Sequence, residues 1–284
     1  MREGQLQHAY TFWRRFRRNH RAIAGAILVM LFVLMAVFAP RLAPYDPTRS
    51  NLTVRLQPPN REHPLGTDAL GRDMLSRTIY GARISLMIAM LAVALSVTIG
   101  VTLGSLAGYY GKLLDNLIMR FVDLLLIFPT LYLYITLVAL LGPNIWILIL
   151  IMGGLGWTGI ARLMRAEVLK LRNQEFVDAA VALGTGEGRI IFRHILPNAM
   201  APVIVAITLG IPSMILGESA LSFLGLGVLP PHMSWGSLVN DGLAFFRVAW
   251  WLPVFPGLAI FLCVLGFNFL GDGLRDALDP RLKT

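Results

Sequence analysis

The sequence predicts an all-α polytopic membrane protein with six transmembrane helices. Three observations carry this. Of 284 residues, 56% are hydrophobic and only 14% are charged, where soluble domains carry about 25% charged residues. The apolar residues gather into long runs, each near the roughly 20 residues a helix needs to cross a bilayer. Lys and Arg crowd alternate connecting segments, which places both termini in the cytoplasm. The net charge of +9 is then a matter of topology, and nucleic acid is not expected as a partner.

The first run, Ala22 to Ala39, follows Arg14, Arg15, Arg17, Arg18 and Arg21. It exceeds the apolar core of a cleaved leader, so it reads as a span with a cytoplasmic foot. Residues 40–83 then lie outside. Their first half is proline-rich and should be irregular. In the second half Leu70, Met74, Leu75 and Ile79 share a helical face, which suggests an interfacial amphipathic helix leading into the second span. Ile84 to Gly111 supplies that span. Gly100, Gly104 and Gly108 recur every four residues on it, a small-residue face for close helix approach.

Lys112 and Asp115 mark a short inside turn. The third span, Leu117 to Leu141, carries Arg120 and Asp123 in its first turns; three residues apart, they can pair with each other. Pro129 should kink it. Gly142-Pro143-Asn144 is an outside turn. Ile145 to Ala161 is the fourth span, with a flexible Gly153-Gly154-Leu155-Gly156 segment. Arg162, Arg165, Lys170 and Arg172 mark the return to the cytoplasm.

The polar stretch Glu175 to Pro197 reads as two short helices with a glycine break. Phe176, Ala180 and Leu183 fall on one face with Val177 beside them, and Ala179 and Ala180 keep part of it small. Gly184 should stop the first helix, Thr185 should cap the second, and Pro197 should hold Leu196 extended. Such a stretch is a docking element or a plain cytoplasmic loop. Span five runs from Ala199 to Leu226 with Pro202 and Pro212 inside it. Glu218 sits within that span, where a carboxylate marks a functional site by default or a helix end facing outer water. Residues 228–248 form an outer loop in which Trp235 and Phe246 suit a re-entrant or interfacial path. Ala249 to Leu270 is span six, and Arg275, Arg281 and Lys283 close the chain inside.

Lone Cys263 lies in an apolar run and is a small packing residue. His63 and His232 are isolated on outer loops and read as surface residues; no metal site is expected. The sequence has no P-loop, no His-Glu-x-x-His and no Gly-x-Ser-x-Gly, so no covalent chemistry is expected of this chain.

With the topology laid out, the stretch Glu175 to Pro197 resembles the coupling loop of permease subunits from binding-protein-dependent ABC importers. Asp178-Ala179-Ala180, Gly184 and Leu196-Pro197 fall at that family's spacings, with Asp178 for its glutamate and His194 for its isoleucine. The segments LGTDALGRDMLSRTIYGARISL, DNLIMRFVDLLLIFP and ESALSFLGLGVLPPHMSWG are similar to the C-type permeases of dipeptide, oligopeptide and nickel importers. The resemblance implies a type I ABC importer fold in a bacterial inner membrane. It implies residues 1–60 as cytoplasmic arm, first span and start of the outer loop, and 82–271 as the transmembrane domain with a coupling loop at 165–199. Residues 272–284 are then a cytoplasmic tail.

The same resemblance implies partners: a homologous B-type permease forming a heterodimer, two cytoplasmic ATPases carrying ATP and Mg²⁺, an extracytoplasmic binding protein, and membrane lipid. No cofactor is expected on this chain. Glu175, Asp178, Ala179, Ala180, Gly184, Leu196 and Pro197 would couple to the ATPases. Arg120, Asp123, Pro129, Glu218 and Ser222 are candidates for the translocation path of a di- or oligopeptide. The alternatives are a proton-coupled secondary transporter with Glu218 and Asp123 as relay groups, and a passive membrane anchor.

Overall fold

The computed structural model describes residues 13–278; Arg281, Lys283 and the start of the N-terminal arm lie outside the described residues. The main helices are α1 (His20–Val37), α2 (Met74–Tyr110), α3 (Lys112–Ile127), α4 (Thr130–Leu141), α5 (Ile145–Gly156) and α6 (Thr158–Arg172). They are followed by α7 (Glu175–Ala182), α8 (Leu196–Phe223), α9 (Trp235–Leu243) and α10 (Trp251–Leu278). Among the described residues five helices or continuous helix runs are long and apolar enough to cross a membrane, and α3 with α4, bent by 84°, would count as a sixth if taken as one span. Large side chains such as Ile27, Met30, Leu113, Leu140 and Leu150 stay exposed on the bundle's outside. On a soluble protein such a surface would aggregate; in lipid it is the natural one.

Close helix approach organises the bundle, because lipid removes the hydrophobic drive between helices and leaves packing to hold them. The small-residue face of α2 packs on α6 as expected. A β-carbon at Gly104 would lie 2.5 Å from the Ala161 carbonyl oxygen and 2.8 Å from Met164 Cβ. One at Gly108 would lie 2.8 Å from Val168 Cβ. Likewise α1 meets α10 at Gly25, where a β-carbon would sit 2.6 Å from the Leu270 nitrogen. Asn19 caps α1, its Oδ1 accepting from the Arg21 and Ala22 amides, and its side-chain amide donates to Asp276 at 3.2 Å. The foot of α1 is thus tied to the last turns of α10. These ends, with the end of α2 and the start of α8, form one basic end of the bundle. Cys263 is buried in the core, as expected.

Several local expectations are corrected. Leu70 is exposed in a turn, and no separate interfacial helix forms there: Asp73 caps a single 37-residue helix that includes span two. The turn at Lys112 shrinks to Gly111, and Asp115 already lies inside α3. The chain at Gly153–Gly156 is helical rather than flexible. A β-carbon at Gly153 would meet Leu95 at 2.8 Å, and the Ser96 hydroxyl donates to the Gly153 carbonyl at 2.9 Å. Gly153 and Gly156 seat the α2 side chains Leu95 and Ser96. Pro129 does more than kink its span: the chain turns by 84° between Ile127 and Thr130, since the proline lacks an amide and pushes Phe128 into extended backbone.

The far end is built from residues 40–73 and the chain around α9. It contains a short helix at Ala39–Leu42 and one 3₁₀ turn at Leu52–Val54, with irregular chain between. His63 is not a surface residue. It is buried, with Nδ1 2.9 Å from Asp73 Oδ1, while Asp73 Oδ2 accepts from the Ser76 amide and hydroxyl at 2.8 and 2.7 Å. Asp73 caps α2 through Oδ2, and its buried Oδ1 needs a partner of its own, which the ring of His63 supplies. His232 is exposed.

Candidate functional site

At the basic end α6 descends through Arg172 into a hairpin of short elements. Helix α7 ends in a Schellman motif. Gly184 has φ +72°, its amide donates to the Val181 carbonyl at 2.9 Å, and the Thr185 amide donates to the Ala180 carbonyl at 3.0 Å. Glycine suits this left-handed position because it has no β-carbon to clash. Thr185 therefore closes the first helix; the second is capped at Gly186, not at Thr185. From Glu187 the chain is helical without interruption. A π turn at Ile190–Ile195 leads into α8, and the Leu196 amide donates to the Ile191 carbonyl. Leu196 is thus helical, φ −55° and ψ −47°, not extended. The wider π turn accommodates the ring of Pro197, which would otherwise crowd the preceding turn. The side-chain amide of Asn198 donates to the His194 carbonyl at 2.7 Å.

The buried face of α7 is Val177 and Ala180, which pack with Ile190, Ile195, Ala199, Met164 and Val168. Phe176 and Leu183, expected on that face, point to solvent, Leu183 with 85% of its surface free. A helix of only eight residues has one narrow inward stripe, and the small Ala180 decides which stripe can approach the π turn. Glu175, Asp178, Ala179 and Gly184 are exposed, His194 is half-buried, and Pro197 is exposed. Four large apolar side chains of this segment, Phe176, Val181, Leu183 and Phe192, stay exposed. The segment stands on a core shared with the base of α8, so it cannot shift without dragging α8 or breaking that core.

Beside it, Arg165 and Asp115 join α6 to α3 through two charge-assisted bonds. Arg172 lies over the Tyr109 ring at 5.6 Å and donates to the Tyr109 carbonyl at 2.5 Å, tying α6 to the end of α2.

The residues considered for a translocation path do not gather in one place. Asp123 pairs with Arg162, Nη2 to Oδ1 at 2.6 Å, and not with Arg120. The packing of α3 on α6 brings Arg162 to Asp123 across the interface. Both side chains are about half exposed, at 51% and 49%. Pro129 is exposed at the bend. Glu218 and Ser222 are fully enclosed at the far end of α8. The Ser222 hydroxyl donates to Glu218 Oε1 at 2.6 Å and lies 3.3 Å from the Ser234 hydroxyl. Trp235, expected at an interface, is wholly buried. Its amide donates to Ser85 Oγ at 3.0 Å and its indole nitrogen to the Thr78 carbonyl at 2.9 Å. Phe246 is exposed. The sequence pointed to Glu218 and Ser222, four residues apart on α8, but not to Ser234 at the start of α9, which no local spacing connects to them.

Comparison with known proteins matches two family descriptions. Residues 100–284 match the binding-protein-dependent transport system inner membrane component, and residues 9–59 match the N-terminal TM domain of oligopeptide transport permease C. The chain is 46% identical over 272 residues to a dipeptide transport system permease protein DppC of Alkalihalophilus pseudofirmus, covering 96% of this chain and 90% of the relative. It is 44% identical over 269 residues to an oligopeptide transport system permease protein OppC of Bacillus subtilis, covering 95% and 88%. It is also 42% identical over 278 residues to a DppC protein of Haemophilus influenzae, covering 96% and 94%. Five to six apolar spans among the described residues and these nearly full-length matches make the chain a multi-pass protein of the bacterial inner membrane, and it belongs to the binding-protein-dependent ABC importer permeases, on their permease C branch.

Proposed function

We propose that this chain is one half of the channel of an ATP-driven importer of di- or oligopeptides, and that α7 is the seat of a partner ATPase. The observation that carries this is the exposure of the apolar side chains Phe176, Val181, Leu183 and Phe192 on a segment fused to the base of α8. ATP binding closes the ATPase pair below. A helix held in each ATPase converts closure into a tilt of the spans. Glu175, Asp178, Ala179 and Ala180 form that helix, Gly184 fixes its exit, and Leu196 and Pro197 join it to α8. This places α7 and both termini in the cytoplasm, with residues 40–73 and α9 facing an extracytoplasmic binding protein. The domain limits are 1–60, 82–271 with the coupling loop at 165–199, and 272–284. ATP and Mg²⁺ belong to the ATPases, and this chain carries no hydrolytic group or cofactor of its own.

The path is completed by a homologous B-type permease in a heterodimer. This chain's side of the interface includes the half-exposed Asp123–Arg162 pair, which suits water or a partner better than lipid. The peptide substrate is supported by the names of the relatives at 42–46% identity.

The test uses the full complex in proteoliposomes. Gly184 has φ +72°, so an arginine there strains the exit of α7 by about 1–2 kcal/mol, but no described atom lies within 4 Å of its β-carbon, so Gly184→Arg should leave the spans folded while obstructing the ATPase seat. ATP-driven peptide uptake should be lost while the chain remains in the membrane. Full uptake with normal ATPase binding would sink the assignment. Uptake by this chain alone under a pH gradient would favour a proton-coupled carrier using Glu218 and Asp123.

A further inference from the structure

The far end of α8 holds a polar node that coupling at the basic end does not use. Glu218 is 0% exposed, one turn before α8 ends at Phe223. The core around it is apolar and includes Ile215, Leu221 and Trp235. Placing a carboxyl there is unfavourable, and a leucine would pack as well. Its Oε1 accepts from Ser222, and its Oε2 has no hydrogen-bond partner. Ser222 touches Ser234, and Ser234 is the cap of α9 in a reciprocal capping box with Ser237. The next residue, Trp235, is bonded to Ser85 and Thr78 of α2. Gly236 then presses on α8, where a β-carbon would lie 2.6 Å from Ser219 Cα. The first turn of α9 is thus wedged between the end of α8 and the start of α2.

We infer that Glu218 is a positioning residue for transport, fastening the cap of α9 to α8 so that both ends of span five move as one body. A buried polar contact holds one register where apolar packing would tolerate several. Helix α8 starts at the π turn seated on α7 and ends at this node. Displacement at the ATPase seat then reaches α9 on the face proposed to meet the binding protein. This rests on the importer reading above.

The experiment uses the complete importer, with its partner permease, ATPases and binding protein, in proteoliposomes. Wild-type ATP-driven peptide uptake is the control; its absence would defeat the importer reading and, with it, this inference. Given uptake, Glu218→Leu should still co-purify with the ATPases but lose about tenfold in uptake. Hydrogen exchange of 234–243 should rise relative to that of α7. Glu218→Gln keeps an acceptor at Oε1 and should restore both. Ser234→Ala cuts the link from the α9 side without touching α8, and should reproduce the Glu218→Leu pattern; it decides the matter if Glu218→Leu does not assemble. Wild-type uptake in Ser234→Ala, or unchanged protection of 234–243 in an assembled Glu218→Leu, would overturn the inference.

Discussion

Arg165 grips both oxygens of Asp115 across the α3–α6 interface, Nε to Oδ1 at 2.5 Å and Nη2 to Oδ2 at 2.6 Å. A bidentate guanidinium–carboxylate pair fixes orientation as well as distance. It holds the first turns of α3 to the helix that runs into α7. Arg165 is partly open to solvent, so screening limits its strength. Asp115→Asn should lower stability by about 1 kcal/mol, and Arg165→Lys by a similar amount, because lysine cannot make the fork. Thermal unfolding of the purified chain in lipid nanodiscs would read this; an unchanged midpoint for both variants would show that the pair contributes nothing.

Gly104→Ala should destabilise the bundle by about 1–3 kcal/mol, because neither the Ala161 backbone nor Met164 Cβ can retreat far. Gly154→Ala, with open space at its β-carbon, should be close to neutral. The contrast between two glycines in apolar spans separates close packing from a general intolerance of substitution. Monodispersity and melting of the two variants side by side would decide it.

His63→Ala should loosen the far-end loop. It leaves a buried oxygen of Asp73 without its partner, at a penalty of about 1–3 kcal/mol. Faster limited proteolysis within residues 40–73, with the rest of the bundle still protected, is the expected result. Equal cleavage rates in variant and wild type would return His63 to the status of a bystander.

Asp241 on α9 gives the far end a pH dependence. Burial holds its carboxyl above the usual carboxylate range, and Arg77, whose Nη2 is 3.5 Å away, works in the opposite direction. A carboxyl with a raised folded pKa binds its proton more tightly in the folded state. Its contribution is therefore complete below the ordinary carboxylate pKa and is lost as pH rises through the folded value. Protection of α9 in hydrogen exchange, corrected for intrinsic rates, should fall over that interval. Asp241→Asn should flatten the profile; a slope unchanged by that substitution would assign it to another group.

The apolar spans, the short helix ending at Gly184 and the glycine face of α2 were legible in the sequence because each is local. A bilayer imposes length and apolarity on any crossing helix, and glycines four apart line one helical face whatever they meet. Gly184 was legible for the same reason: a Schellman motif is closed by residues within one turn of it. What the sequence did not contain was partnership across long separations. Asp123 had Arg120 three residues away and found Arg162. His63, isolated in sequence, found Asp73. Phe176 and Leu183 fit a helical stripe, but the π turn chose Val177 and Ala180.

Composition and periodicity by themselves determined that this chain crosses a membrane about six times and carries a polar helical stretch between two of its spans. Which charge neutralises which, which face of α7 remains open, and the enclosure of Glu218 beside Ser222 were decided only by the tertiary structure. Those outcomes depend on how helices approach one another, and a buried charge or hydroxyl must take whatever partner that approach supplies.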